Sequence, residues 1–208
     1  MVILLILGKG KESEAFMADF SSLGVRQELI DILKDEGVFK PTPIQEKAIP
    51  AILENQDIIG QAQTGTGKTL AFLLPIIEKI NPEQKDIQAL ILTPTRELAI
   101  QITTELNKLI SVNNKLSSLA VYGGQDIEGQ LKKLNKNVHL VVATPGRLLD
   151  HLRRGTINLE KVSQFVLDEA DQMLHMGFLP EVETIMEQLP KTRQTLLFAA
   201  TMTKEVRK

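Results

Sequence analysis

The 208-residue chain predicts a mostly parallel α/β sheet with helices on both faces, and three observations carry the prediction. Short apolar runs recur at Asp57–Gln61, Ala89–Leu92, Leu119–Val121, His139–Ala143, Gln164–Leu167 and Thr195–Phe198. Several are continuous in apolar residues, as in strands buried on both faces. Between them lie segments whose apolar residues follow helical spacing, and strands that alternate with helices pair in parallel through crossovers. Each run also ends in a polar, Gly-rich or Pro-rich turn, and in such sheets ligands collect at the carboxyl ends of the strands.

Taken in order, Met1 to Leu7 is wholly apolar and is followed by Gly8-Lys9-Gly10-Lys11-Glu12. It is far short of the roughly 20 residues a spanning helix needs, and as an export signal it lacks a basic start. An extension or an added edge strand is expected for residues 1–17, with one domain over 18–208. Ser21 or Ser22 is positioned to cap a helix carrying Leu29, Ile30, Ile32 and Leu33, with Gly37 as its stop. After the turn Val38 to Pro43, a second helix carries Ile44, Ala48, Ile49, Ile52 and Leu53. Gln45 lies near its start, and its amide offers one donor and one acceptor, the pair needed to read an adenine edge.

The strand Asp57–Gln61 runs into Ala62-Gln63-Thr64-Gly65-Thr66-Gly67-Lys68-Thr69, and Leu70, Ala71, Leu73, Leu74 and Ile77 continue as an apolar helix face. Strand, glycine loop and helix are the context of a phosphate-binding P-loop. Gly65 and Gly67 let backbone N–H groups converge at a helix N-terminus, where an anion meets unpaired donors and the positive end of the dipole. Lys68 adds a mobile charge for the outer phosphates, and the Thr69 hydroxyl suits magnesium. The strict pattern begins with glycine, and Ala62 stands there instead.

Asp168 directly follows the apolar residues Phe165-Val166-Leu167, where a Walker B carboxylate sits to hold magnesium against the phosphates gripped by Lys68 and Thr69. Glu169 is the candidate to orient or deprotonate an attacking water. A solvated acidic turn capping a helix would account for the same two residues, but a P-loop and an acid at a strand end require each other to make a hydrolytic site. Pro94-Thr95-Arg96, Gly123-Gly124 and Thr144-Pro145-Gly146-Arg147 also fall at strand ends. Their hydroxyls, open backbone and guanidinium groups suit phosphates and 2′-hydroxyls, with little capacity to read base edges.

Asp168-Glu169-Ala170-Asp171 spells the name of the DEAD-box RNA helicases, and the motifs around it resemble that family in order and spacing. The resemblance runs from Phe20 to the C-terminus and implies a RecA-like domain, with a bacterial member expected. Gly37 to Gln45 is similar to the family's Q motif, so that Gln45 reads adenine, Phe20 stacks on it and Lys40 lies beside it. Ala62 to Thr69 resembles the family's own form of the P-loop, in which alanine opens the motif. Gln63, Thr64, Gly65, Thr66, Gly67, Lys68 and Thr69 then hold ATP with Mg2+, and Lys68, Asp168 and Glu169 carry the chemistry. Pro94, Thr95, Arg96, Gly123, Gly124, Thr144, Pro145, Gly146 and Arg147 correspond to its RNA-backbone motifs, implying sequence-independent binding of single-stranded RNA.

Two departures stand out. The family usually has Ser-Ala-Thr where this chain has Ala199-Ala200-Thr201, so one hydroxyl able to bond Asp171 is missing while Thr201 remains. Weaker coupling of hydrolysis to strand separation is the expectation. The resemblance also implies a second helicase domain that supplies arginines and half of the RNA groove, and nothing here corresponds to it. Thr203 to Lys208 reads as a helix cut early, which makes the chain the first half of a helicase, a monomer by itself and nearly inactive. A P-loop phosphotransferase and a nucleotide-gated RNA-binding scaffold are the rival readings.

Composition sets outer bounds. A hydrophobic content of 43% and a charged content of 24% are ordinary for a globular protein. The net charge of -2 confines any nucleic-acid contact to a local patch. Without cysteine there is neither a disulfide nor a thiolate metal site, and His139, His151 and His175 lack ligand spacing. No targeting signal stands out, so a cytoplasmic setting without membrane contact is expected.

Overall fold

An apolar run has no side to give to water, and Ala89–Leu92 and Leu140–Ala143 are accordingly buried at every position, as is Gln164–Leu167, which opens with a buried glutamine. A computed structural model of the chain describes residues 3–7, 18–63, 65–112, 115–124, 129 and 137–201. The strands are β1 Ile3–Leu7, β2 Asp57–Gln61, β3 Ala89–Leu92, β4 Ser118–Val121, β5 Leu140–Ala143, β6 Gln164–Leu167 and β7 Gln194–Ala199. They form one seven-stranded sheet in the order β1-β2-β7-β6-β3-β5-β4, and every pairing is parallel. β3, β5 and β6 lie inside the sheet. β2 and β4, nearer its edges, alternate between buried and half-buried residues.

The alternation of side chains sends neighbouring residues of a strand into different cores. Ile91, Val142, Val166 and Phe198 join one core, with α1 Gln27–Asp35, α2 Pro43–Leu53, α3 Lys68–Lys79 and α4 Arg96–Ile110. Leu92, Val141, Phe165 and Leu167 join the other, with α5 Pro145–Arg153, α6 Ala170–His175 and α7 Leu179–Glu187.

The beginning of α1 departs from the sequence reading. Ser21 and Ser22 do not cap it. Ser22 turns back to Asp19, its N–H donating to Asp19 Oδ1 at 2.7 Å, and the helix begins after Arg26. Arg26 is held by Glu78 through both its backbone N–H and its Nε, each at 2.8 Å, which fixes the start of α1 to the end of α3. Gly37 does stop the helix. It takes φ +79, with Val38 N–H bonded to Leu33 O and Gly37 N–H to Lys34 O, a Schellman closure. The expected helix over Thr203 to Lys208 lies outside the described residues. β1 lies at the edge of the sheet, in register with β2 from Ile3 opposite Asp57 to Leu7 opposite Gln61.

The P-loop helix is seated on the sheet by rings. Phe72 of α3 and Phe198 of β7 are fully buried with centroids 5.4 Å apart, and Phe198 lies beside Gly60 on the neighbouring strand. A Cβ on Gly60 would come within 2.6 Å of the Phe198 ring, which has no room to yield. Gly60→Ala should therefore cost about 1–3 kcal/mol of stability. Thermal denaturation checks this, and an unchanged midpoint would contradict the packing described.

Candidate active site

The turn between β2 and α3 depends on two glycines with positive φ, Gly65 at +80 and Gly67 at +86. Gly67 precedes the first helical residue, and its carbonyl accepts from Ala71 N–H at 3.1 Å. Thr66 Oγ1 closes the loop on Gln63 O at 2.7 Å, Gln63 is exposed and Thr69 half-buried in the first turn of α3. Thr64 lies outside the described residues.

From this turn Lys68 reaches under the sheet edge. Its Nζ stands 4.0 Å from Asp168 Oδ1, and both side chains are almost completely buried. Asp168 directly follows β6, so β7 alone separates the strands that deliver the two groups. Burial pushes the Asp168 carboxyl up to about 6, and the charges of Glu169 and Asp171 act in the same direction. Lys68 and the Glu169 N–H, which donates to Asp168 Oδ1 at 3.0 Å, hold it back. Glu169 itself has φ +54, a left-handed conformation that is costly for a residue with a Cβ and concentrates at functional sites.

The carboxyl end of β7 ties the two strands together. Ala62 N–H donates to Ala199 O at 3.1 Å, and Gln61 Nε2 to Ala200 O at 3.3 Å. On the other side Thr201 donates to Asp171 Oδ2 through its N–H at 2.9 Å and its Oγ1 at 2.8 Å. Burial alone would raise the Asp171 carboxyl, but donors from Thr201 and Ala200 outweigh it and keep the group below its usual value. Ala199 is fully buried in the second core. The sequence shows Gln61 only as a strand residue; its partner Ala200 lies 139 residues further along the chain, which no local pattern displays.

Gln45 and Phe20, the two residues expected to meet a base, are both buried. Gln45 is 1% exposed, and both ends of its amide are engaged within the protein. Its Oε1 accepts from Thr42 N–H at 2.9 Å and its Nε2 donates to Gly67 O at 3.0 Å, so it joins the start of α2 to the P-loop. Gly67 is also the position where a Cβ would run into that amide. Phe20, expected to stack on a base, is 2% exposed within the first core, where its apolar ring is removed from water. Lys40 is exposed in the turn before α2.

The other half of the sheet edge collects the basic and hydroxyl motifs. β3, β5 and β4 are successive neighbours, and their carboxyl ends carry Pro94 to Arg96, Thr144 to Arg147 and Gly123-Gly124. Thr95 caps α4, its Oγ1 accepting from Leu98 N–H at 3.2 Å, whereas Thr144 precedes α5 without a side-chain cap. Arg96 is exposed, and its guanidinium carbon lies 5.2 Å from the centre of the Tyr122 ring. A Cβ on Gly124 would come within 3.0 Å of Arg96 Nη1. Pro94 and Pro145 are buried, Gly123, Gly124 and Gly146 exposed, and Arg147 half-buried. Tyr122, beneath Arg96, is the residue of this region that the sequence reading did not single out.

A model of the DEAD/DEAH box helicases matches residues 42–208. The chain belongs to that family. It is similar to the DEAD-box ATP-dependent RNA helicase CshA of Geobacillus kaustophilus, 52% identical over 192 residues that cover 92% of this chain and 41% of the relative. It is likewise similar to the ATP-dependent RNA helicase DeaD of Escherichia coli, 48% identical over 93% of this chain and 31% of the relative. The crystal structure of a DEAD box protein from the hyperthermophile Methanococcus jannaschii shares the fold with a TM-score of 0.86 and 46% identity, over 91% of this chain and 52% of that one. The chain thus spans well under half the length of these two curated helicases.

In this DEAD-box domain the buried acid has a cost that can be measured. The Asp168 carboxyl binds its proton more tightly in the folded protein than in the unfolded chain, so stability falls as pH rises from about 4 through about 6. In buffer free of nucleotide and magnesium, Asp168→Asn should stabilise the domain by about 1–3 kcal/mol at pH 8, a gain that shrinks as pH falls toward 4. Denaturation midpoints across that range check it, and a variant less stable at pH 8 would show that the pair with Lys68 outweighs the cost of burial.

Proposed function

We propose that residues 18–208 form the first RecA-like domain of an ATP-dependent RNA helicase, with residues 1–17 as an extension that adds β1 to the edge of its sheet. The full enzyme would couple ATP hydrolysis to local separation of RNA strands. The observation that supports this best is the 4.0 Å approach of Lys68 to Asp168 across β7. In this reading Gln63 to Thr69 cradle the phosphates with backbone N–H groups, and Lys68 neutralises their outer oxygens.

The residues fit a magnesium ion. Asp168 is a buried carboxylate whose surroundings leave its negative charge undercompensated, which is why its carboxyl is lifted to about 6. Asp168 and Thr69 would hold the ion, which supplies positive charge to the phosphate oxygens when bound. Glu169 accepts the proton of the attacking water and orients it. Gln45 reads adenine only by giving up Gly67 O or sharing its amide with the base, so base recognition and the shape of the P-loop are linked.

Thr95, Arg96, Gly123, Gly124, Thr144, Pro145, Gly146 and Arg147 grip the sugar-phosphate backbone and leave base edges unread, so binding is independent of sequence. A second domain completes the RNA track and supplies arginines, worth about 10³ to 10⁵ in rate where they act on phosphoryl transfer. The 208-residue chain by itself therefore hydrolyses ATP very slowly. Thr201 and Asp171 carry the coupling, and Ala199, without a hydroxyl, weakens it. No helix among the described residues is long and apolar enough to cross a membrane, and we place the protein in the cytoplasm.

In a chain extended to include the second domain, Glu169→Gln should lower RNA-stimulated ATP turnover by about 10²- to 10⁴-fold while preserving ATP-dependent RNA binding. Unchanged turnover would favour a scaffold in which hydrolysis plays no part.

A further inference from the structure

Where α1 packs against α4 the surface opens into a cleft of about 410 Å³, within the range of sites that take small ligands or a few side chains. Ile32 and Val38 around the end of α1, Leu70 in the first turn of α3 and Leu109 of α4 make it apolar. Its rim is charged. Glu105 and Lys108 of α4 face Glu36, and Lys108 Nζ is already bound to Glu36 Oε2 at 2.7 Å. The hollow continues past that bridge to Asp35 and Ser111.

Glu105 is the anomaly. It is half-buried, and among the described residues its carboxylate has neither a hydrogen bond nor an ion pair. Burial raises its carboxyl above the usual range, Lys108 draws it back and Glu36 adds to the rise. Three carboxylates, Asp35, Glu36 and Glu105, thus share one ammonium around an apolar hollow. Beside the lining residue Val38, Phe39 is 69% exposed, an aromatic residue of the kind enriched at interfaces.

We propose that this cleft docks a basic peptide segment of a partner protein, with a leucine-like side chain on the apolar surface and an arginine or lysine against Glu105. An RNA strand is disfavoured because its phosphates would meet three carboxylates. A two-fold contact between copies of this chain would set the same carboxylates against one another. The proposal is independent of the nucleotide site, although an occupant would touch Leu70, two residues beyond Lys68.

The test uses a synthetic amphipathic peptide of leucine, alanine and arginine, beside a control with glutamate for arginine, titrated into the 208-residue chain and followed by backbone amide NMR. The arginine peptide should shift amides of Ile32, Glu36, Gln101 and Glu105, and the glutamate peptide should not. Glu105→Gln should weaken binding about tenfold or more, and Thr104→Trp, which fills the mouth from an exposed position, should abolish it. Neither variant should alter ATP affinity. Equal binding of both peptides, shifts confined to other surfaces, or binding that survives both substitutions would overturn the proposal. Concentration-dependent self-association that shifts the same amides without peptide would overturn it in favour of a second copy.

Discussion

Burying a carboxylate and an ammonium together at a sheet edge is expensive, and the organisation of this domain follows from where that expense is incurred. Lys68 and Asp168 lose their water at positions 100 residues apart in sequence, and at 4.0 Å they are too far apart for a direct hydrogen bond. Their attraction therefore does not fully offset the cost of removing Asp168 from water, as its raised carboxyl shows. A site whose charge is undercompensated is suited to charge brought from outside. In the proposed reading a triphosphate would present anions to Lys68 and a divalent cation would satisfy Asp168, relieving what folding leaves undercompensated.

Strand order makes this arrangement possible. β2 and β6 deliver the two charged groups, and β7 between them is bonded to both sides at its carboxyl end. Gln61 and Ala62 hold the backbone of Ala199 and Ala200, and Thr201 holds Asp171. One short segment thus joins the P-loop to the acidic helix. Beyond β6 the neighbouring strands β3, β5 and β4 carry the residues assigned to RNA, so the two halves of the edge adjoin at the β6–β3 pair. Phe72 against Phe198 provides the stiff support beneath the P-loop helix.

Much of this was legible because the physics involved is local. Continuous apolar runs have one outcome in a soluble α/β protein, and β2, β3 and β6 span the residues predicted for them. The glycines of Ala62 to Thr69 could be read because positive φ is demanded within the loop itself. What escaped depends on distant partners. Ser22 is a competent cap that bonds Asp19 instead, because Glu78 of α3 draws Arg26 to the helix start. Phe20, whose ring the family resemblance assigns to a base, is packed in the first core, a burial that depends on neighbours no local pattern displays. Gln45 was expected to face a base, and the P-loop carbonyl that it meets is 22 residues away. Tyr122 beneath Arg96 could be recognised only once β3 and β4 were known to flank β5.

The proposed function requires Lys68 and Asp168 to form one receptor for a metal-bound triphosphate. The most direct measurement is the affinity of the 208-residue chain for a non-hydrolysable ATP analogue, with and without magnesium, compared with that of Asp168→Ala. The account predicts that magnesium tightens binding in the unaltered chain and that most of this gain disappears in the variant. The same gain in both proteins would show that Asp168 takes no part in holding the ion, and would contradict it.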